Sequence, residues 1–203
     1  MMSPIFDRCI FGSLARITDL SARPFEIEPR VPSEWDTGDY VVGIVTDTSG
    51  YRAIELPSGR NMEVAEGDAV VGAFGTRHAT LEMTGSWREI GDDQLMHALT
   101  RAGLFGHVES RSTLVQPPLE LRYHGHVCRD ATKVTMAGAV PPVDEQPYTT
   151  PTILFAGTSM SAGKTTAARI VTRRLKRMGL DVLGAKVSGA GRYRDVLSIQ
   201  DAG

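Results

Sequence analysis

The sequence has only two cysteines, Cys9 and Cys128, in 203 residues. That is too few for the disulfide framework of a small secreted domain and suits a reducing compartment. The start offers no apolar run of the kind found in a leader or a spanning helix, because Asp7, Arg8, Arg16 and Asp19 interrupt Met1–Leu20. The expected location is the cytoplasm, with no membrane partner. An excess of positive charge is also missing. The formal net charge is -2, which argues against a protein-wide field for gripping nucleic acid, so no nucleic-acid partner is expected. Internal repeats and low-complexity tracts are absent as well.

What is present is 41% hydrophobic and 23% charged, enough apolar material for one large domain or two small ones. From Tyr40 to Gly85 the pattern predicts short strands at Tyr40–Thr48, Arg52–Leu56, Asp68–Phe74 and Ala79–Thr84, with Pro57-Ser58-Gly59 as a hairpin turn. Strands spaced this closely leave no helix long enough for parallel crossovers. A β-rich antiparallel barrel or sandwich is therefore expected over residues 1–140. One helix is expected within it, running from a cap at Asp92 or Asp93 through Leu95, Met96, Leu99 and Ala102 to a stop at Gly103. Further strands are expected at Leu119–Cys128 and Lys133–Val140.

Pro141-Pro142-Val143-Asp144-Glu145-Gln146-Pro147 then breaks all periodicity and marks residues 141–151 as a linker. Over residues 152–203 the pattern predicts a buried strand at Thr152–Ala156, a helix at Lys164–Met178 and a second buried strand at Val182–Val187. This is a β-loop-α-β unit, the opening of an α/β domain. Ala167, Ala168, Ile170, Val171, Leu175 and Met178 are expected to face the sheet, and Gly179 to stop the helix. Arg169, Arg173, Arg174, Lys176 and Arg177 read as a solvated face whose charge favours the helix C-terminus.

The chemistry concentrates where the first of these strands turns into the helix, at Gly157-Thr158-Ser159-Met160-Ser161-Ala162-Gly163-Lys164-Thr165-Thr166. A triphosphate needs several backbone N–H donors converging on its oxygens, which requires a compact loop of small residues ahead of a helix N-terminus. Gly163 permits close approach. Lys164 is expected to reach the β- and γ-phosphates, Thr165 to bind Mg²⁺ through its hydroxyl, and Thr166 to contact the α-phosphate. The usual spacing of a phosphate-binding P-loop places its first glycine where Thr158 stands, so Gly157 comes one residue early. A glycine-containing turn that happens to include lysine is the bland alternative, and the flanking strand and helix weigh against it. ATP with Mg²⁺ is the expected ligand, although the loop by itself neither separates ATP from GTP nor names a reaction.

Gly157-Thr158, four intervening residues and Gly163-Lys164-Thr165 resemble the loop of dethiobiotin synthetase and related ATP-dependent enzymes, whose glycine also precedes the threonine. Ala185-Lys186-Val187-Ser188-Gly189 resembles the second-strand segment of that group, where the lysine approaches substrate or phosphate. The run from Gly157 through Lys186 to Arg192-Tyr193-Arg194-Asp195 and Asp201-Ala202-Gly203 resembles more closely a P-loop family of unknown function related to D-glutamate cyclase proteins. The resemblance covers residues 152–203. It implies an ATP-dependent ligase- or synthetase-like enzyme acting on a small molecule, with Lys164 and Lys186 as its catalytic lysines. Loop and Mg²⁺ would neutralise the triphosphate for attack by a carboxylate, an amine or water. Two other classes stay open, a nucleotide-dependent regulator or chaperone and a β-barrel binding module with a vestigial loop.

Weaker candidates lie elsewhere. His124, His126 and Cys128 alternate along one predicted strand and would share a face able to hold a metal, but no fourth ligand is visible and imidazoles on an exposed face are commonplace. Arg77 and His78 follow a strand and suit an acidic ligand, against the blander reading of a solvated glycine-rich turn. Asp195 and Asp201 are either outer partners of magnesium or ordinary loop and cap residues. After Val187 no further apolar strand ends in an acidic residue. The P-loop unit is therefore expected to be incomplete and, alone, to hydrolyse little ATP, with a second copy or a partner chain completing it.

Overall fold

The computed structural model describes residues 9–79, 81–159, 162–189 and 191–203. The chain divides into two units, residues 1–140 with 191–193, and residues 141–190 with 194–203. The tripeptide 191–193, expected in the second unit on sequence, thus belongs to the first.

The first unit contains β1 (Cys9–Phe11), β2 (Glu26–Glu28), β3 (Tyr40–Asp47), β4 (Ala53–Glu55), β5 (Asn61–Glu63) and β6 (Ala69–Phe74). It continues with β7 (Thr76–Ala79), β8 (Met83–Ser86), β9 (Leu95–Thr100), β10 (Leu104–Arg111), β11 (Glu120–Arg129), β12 (Thr132–Lys133) and the short helix α1 (Met136–Ala139). Strands β6, β3, β11, β9 and β10 pair in that order, and β10 returns to β6, so the ring closes into a barrel. The closing joint is parallel, with Leu104 opposite Ala73 and Phe105 opposite Phe74, and β1 also runs parallel to β6. The sheet is thus not purely antiparallel. Close strand spacing rules out parallel pairing only between chain neighbours, whereas the β7–β8 hairpin and β9 together provide the crossover from β6 to β10.

The valine-rich strands β3 and β6 are buried on both sides, which explains their nearly continuous apolar sequence. Val41, Val45, Val70 and Phe74 join one core with Met96, Phe105, Leu121 and Tyr123. Tyr40, Val42, Ala69, Val71 and Ala73 form the other with Leu14, Leu20 and Val127. Barrel closure brings backbones into near contact. A Cβ at Gly72 would stand 2.3 Å from the Gly103 carbonyl oxygen, and Gly103 itself has φ +87°, a conformation natural only to glycine. Within the same unit, the buried Glu55 carboxylate accepts from Ser13 Oγ (2.7 Å) and from the Tyr193 N–H (2.6 Å).

Three expected elements differ. The helix expected between Asp92 and Gly103 is strand β9, which pairs with β10 and β11. Its apolar residues fit a helical stripe, but two flanking ladders outweigh that local preference, and Asp93 accepts from the Leu95 N–H (3.1 Å) in the turn before the strand. Thr80, inside the strand expected at Ala79–Thr84, lies outside the described residues; Ala79 ends β7, Leu81 and Glu82 form a turn, and Met83 and Thr84 open the antiparallel β8. The strand expected at Lys133–Val140 gives way to α1, capped where Thr135 Oγ1 accepts from the Gly138 N–H (3.0 Å).

The second unit contains α2 (Lys164–Arg177) and α3 (Tyr193–Gln200, from 194 onward). Among the described residues, 152–156 and 182–187 carry no strand ladder. The two buried strands expected there are not formed: Ile153, Leu154, Leu183 and Val187 are 58%, 79%, 94% and 91% exposed. A strand needs neighbours for its N–H and C=O groups, and the described part of this unit supplies none. The same lack of a sheet changes α2. Ala168, Val171, Thr172 and Leu175 form its covered stripe, while Ala167, Ile170 and Met178 are exposed. Gly179, at φ +79°, ends the helix in a Schellman motif, with the Leu180 N–H bonded to Leu175 O (3.1 Å) and the Gly179 N–H to Lys176 O (3.0 Å).

Candidate functional site

The glycine-rich turn before α2 folds back on itself. A Cβ at Gly157 would lie 3.1 Å from Ala162 Cβ and 3.2 Å from Lys164 Cδ, so the first glycine of the loop packs against the lysine that opens the helix. The Ala162 N–H points to Ser159 O (3.4 Å), and Lys164 Nζ donates to the same carbonyl. Gly163 is the helix N-cap in the left-handed conformation, φ +77°, and nothing lies within 4 Å of where its Cβ would be. Met160 and Ser161 lie outside the described residues. Gly157, Thr158, Ser159, Ala162, Gly163, Lys164, Thr165 and Thr166 are thus gathered at one helix start, with the first residues exposed and Lys164 and Thr165 half-buried.

This geometry fits an anion. Because Gly163 has no side chain, no side-chain cap bond is made at the start of α2, whose first N–H groups have no partner within the helix itself. The first turn carries no acidic residue to compete. Lys164 rests on a loop carbonyl that a stronger phosphate acceptor would displace. For the cation, no group of three or more His, Cys, Asp or Glu is placed to hold a metal among the described residues. Thr165 offers one hydroxyl that could join phosphate and water oxygens around a magnesium ion.

Lys186 is engaged by α3. Its ammonium pairs with the Asp195 carboxylate in the first turn of α3, and no hydrogen bond or ion pair among the described residues joins it to residues 157–166. Asp201 is exposed past the end of α3. Sequence reasoning kept magnesium and an ordinary loop role open for Asp195; the lysine nine residues before it is the signal that would have indicated an ion pair.

The remaining candidates are absorbed by structure. A bulge between Tyr123 and Gly125 shifts the alternation of β11, so His126 comes into line with Tyr123, and His124, His126 and Cys128 do not make a metal site. His126 is fully buried; its Nδ1 meets Tyr123 Oη at 2.6 Å and its Nε2 meets Asp39 Oδ2 at 3.1 Å. The Arg30 N–H donates to Tyr123 Oη (3.0 Å), so the phenol hydrogen goes to Nδ1 and the Nε2–H to Asp39. Burial pushes the Tyr123 phenol up to about 12, which keeps it a donor. Burial alone would raise the Asp39 carboxyl, but bonds from His126 and Lys133 (2.7 Å) hold it below its ordinary value. Arg77 donates to Leu99 O (2.7 Å) and pairs with Glu82, which fixes it within the barrel and leaves His78 exposed.

No protein-family model, no curated protein and no solved structure matches this chain.

Proposed function

We propose that the chain binds a nucleoside triphosphate, ATP with Mg²⁺, through residues 157–166, and that it serves an ATP-dependent ligase- or synthetase-like reaction on a small molecule in the cytoplasm. The observation that carries the reading is the loop itself: a left-handed glycine cap with no side chain, followed by a lysine folded back across the turn onto Gly157. Lys164 would neutralise the β- and γ-phosphates, the open N–H groups would bind phosphate oxygens, and Thr165 would hold the metal. When bound, Mg²⁺ supplies charge neutralisation of the phosphates. Two unpaired cysteines, Cys9 half-buried and Cys128 buried, accord with a reducing compartment, and no helix among the described residues is long and apolar enough to cross a membrane.

The test is calorimetric titration of the full chain with ATP and with GTP, each with and without Mg²⁺. Saturable binding at one site, tighter for ATP and strengthened by Mg²⁺, is expected. Absence of heat with both nucleotides overturns the reading, and tighter binding of GTP overturns the choice of base.

A further inference from the structure

Glu55 is a fully buried carboxylate in which one oxygen carries all the hydrogen bonds. Its Oε1 accepts from Ser13 Oγ (2.7 Å) and from the Tyr193 N–H (2.6 Å), whereas Oε2 is buried and has no hydrogen bond. Its ion-pair partner, Arg192 Nε, stands 3.9 Å from Oε2 and is itself buried without a hydrogen bond. Two more such atoms line the adjoining backbone. The Glu55 N–H donates to Arg101 O (2.7 Å) and Arg77 donates to Leu99 O (2.7 Å). Thr100, between those two carbonyls, has its Oγ1 buried without a partner, and so does Arg77 at Nε. Four of the six buried side-chain atoms left unbonded among the described residues thus gather at this end of the barrel. Buried polar atoms are ordinarily paired, so a cluster of unpaired ones indicates a guest that they receive.

The surplus charge here is positive. Arg77 pairs with Glu82, and Arg192 pairs at longer range with Glu55. The Arg101 guanidinium has no hydrogen bond or ion pair among the described residues and rests on the Tyr51 ring, 5.1 Å from its centroid. All three arginines converge on Tyr51: burial pushes its phenol up to about 12, and Arg77, Arg101 and Arg192 pull against that shift. The guest is therefore an anion, yet one that also gives a hydrogen to Glu55 Oε2. The unbonded atoms and the Arg101 guanidinium are all polar, which suits an ion made of oxygens better than a ligand with a carbon skeleton. We propose that this end of the barrel binds inorganic phosphate in its singly protonated form, its P–O–H donating to Glu55 Oε2 and its other oxygens accepting from Arg101 and Arg192. These residues all belong to the first unit, and the site is independent of nucleotide binding by residues 157–166.

Labelling of the full chain with phenylglyoxal at pH 8, read arginine by arginine by mass spectrometry, tests this, with the exposed Arg23 as internal reference. Residues 157–166 contain no arginine, so phosphate held by that loop is not what the labelling reads. In the wild type, inorganic phosphate should slow labelling of Arg101 and Arg192 about fivefold or more, as charge-assisted contacts form. Sulfate has the same shape and charge but no hydrogen, and glycerol phosphate at this pH has lost its own, its second pKa being about 6. Facing the Glu55 carboxylate without a donor, neither should slow labelling by more than about twofold. In Glu55→Gln the side-chain amide supplies a hydrogen, so sulfate should protect Arg101 as well as phosphate does. Absence of protection by phosphate in the wild type overturns the proposal, as does equal protection by sulfate or glycerol phosphate. Continued rejection of sulfate by folded Glu55→Gln also overturns it. If Glu55→Gln does not fold, Arg101→Ala, at a half-buried turn residue, takes its place. There, phosphate protection of Arg192 should fall to about twofold or less, and undiminished protection overturns the proposal.

Discussion

At the scale of single residues, the buried Asp39–His126–Tyr123 network shows where polar groups in this barrel are committed. Asp39 is nearly inaccessible and faces both His126 and Lys133. Removing Asp39 leaves the buried Nε2–H of His126 without its acceptor, at a cost of about 1–3 kcal/mol. Asp39→Ala should therefore lower the urea-unfolding free energy by that amount; a change below about 0.5 kcal/mol, the size of an ordinary surface substitution, would refute the assignment. None of this was legible beforehand. Histidine and cysteine at alternate positions look like a shared face, and the bulge at Tyr123 and Gly125, of which a glycine inside the strand is the one sequence signal, turns His126 inward. The loop residues stand out in the sequence because phosphate chemistry restricts residue type and spacing together, and their binding of phosphate is the proposal made above. Thr165→Ala should thus leave Mg-free ATP affinity within about twofold while abolishing most of the gain from Mg²⁺, since its hydroxyl is assigned to the metal. An undiminished Mg²⁺ effect in a calorimetric titration would count against that role.

At the scale of elements, β3, the β4–β5 hairpin and β6 could be read from valine-rich runs and from the turn at Pro57-Ser58-Gly59. β9 could not. Leu95, Met96 and Leu99 satisfy a helical period, and the decision falls to long-range pairing with β10 and β11. That pairing places His97 against His107, ring centroids 5.0 Å apart, with His97 Nδ1 accepting from the Val108 N–H (3.3 Å). Burial, and secondly His107, depress the His97 pKa below its ordinary 6.5, against smaller opposing effects of Glu120 and Asp93. A histidine with a depressed folded pKa contributes stability above its unfolded value of about 6.5 and loses it as the pH falls through the lower folded value. The melting temperature should accordingly drop between pH 7 and pH 5, and His97→Asn should reduce that drop. An identical drop in both proteins would place the acid sensitivity elsewhere.

At the scale of the whole molecule, the boundary near Val140 was legible because Pro141-Pro142 and the polar residues after it end all periodicity. The strands expected at 152–156 and 182–187 are absent from the described structure, because a strand is defined by its neighbours and sequence reports only its own apolarity. The first unit buries two cores, whereas the second exposes Leu154, Leu183 and Val187. Brief digestion with a nonspecific protease should therefore cut first within residues 141–160 and leave the barrel intact; first cuts between β3 and β11 would contradict this order of stability. The central claim, that the Gly157–Thr166 loop binds a nucleoside triphosphate, is tested most directly by the dissociation constant of Mg-ATP in the wild type and in Lys164→Ala, measured side by side by calorimetry. Loss of one charge-assisted contact to phosphate corresponds to about 1.5–3 kcal/mol, or roughly a ten- to hundredfold weaker constant. Weakening in that range is the predicted result, and equal affinity in the two proteins would contradict it.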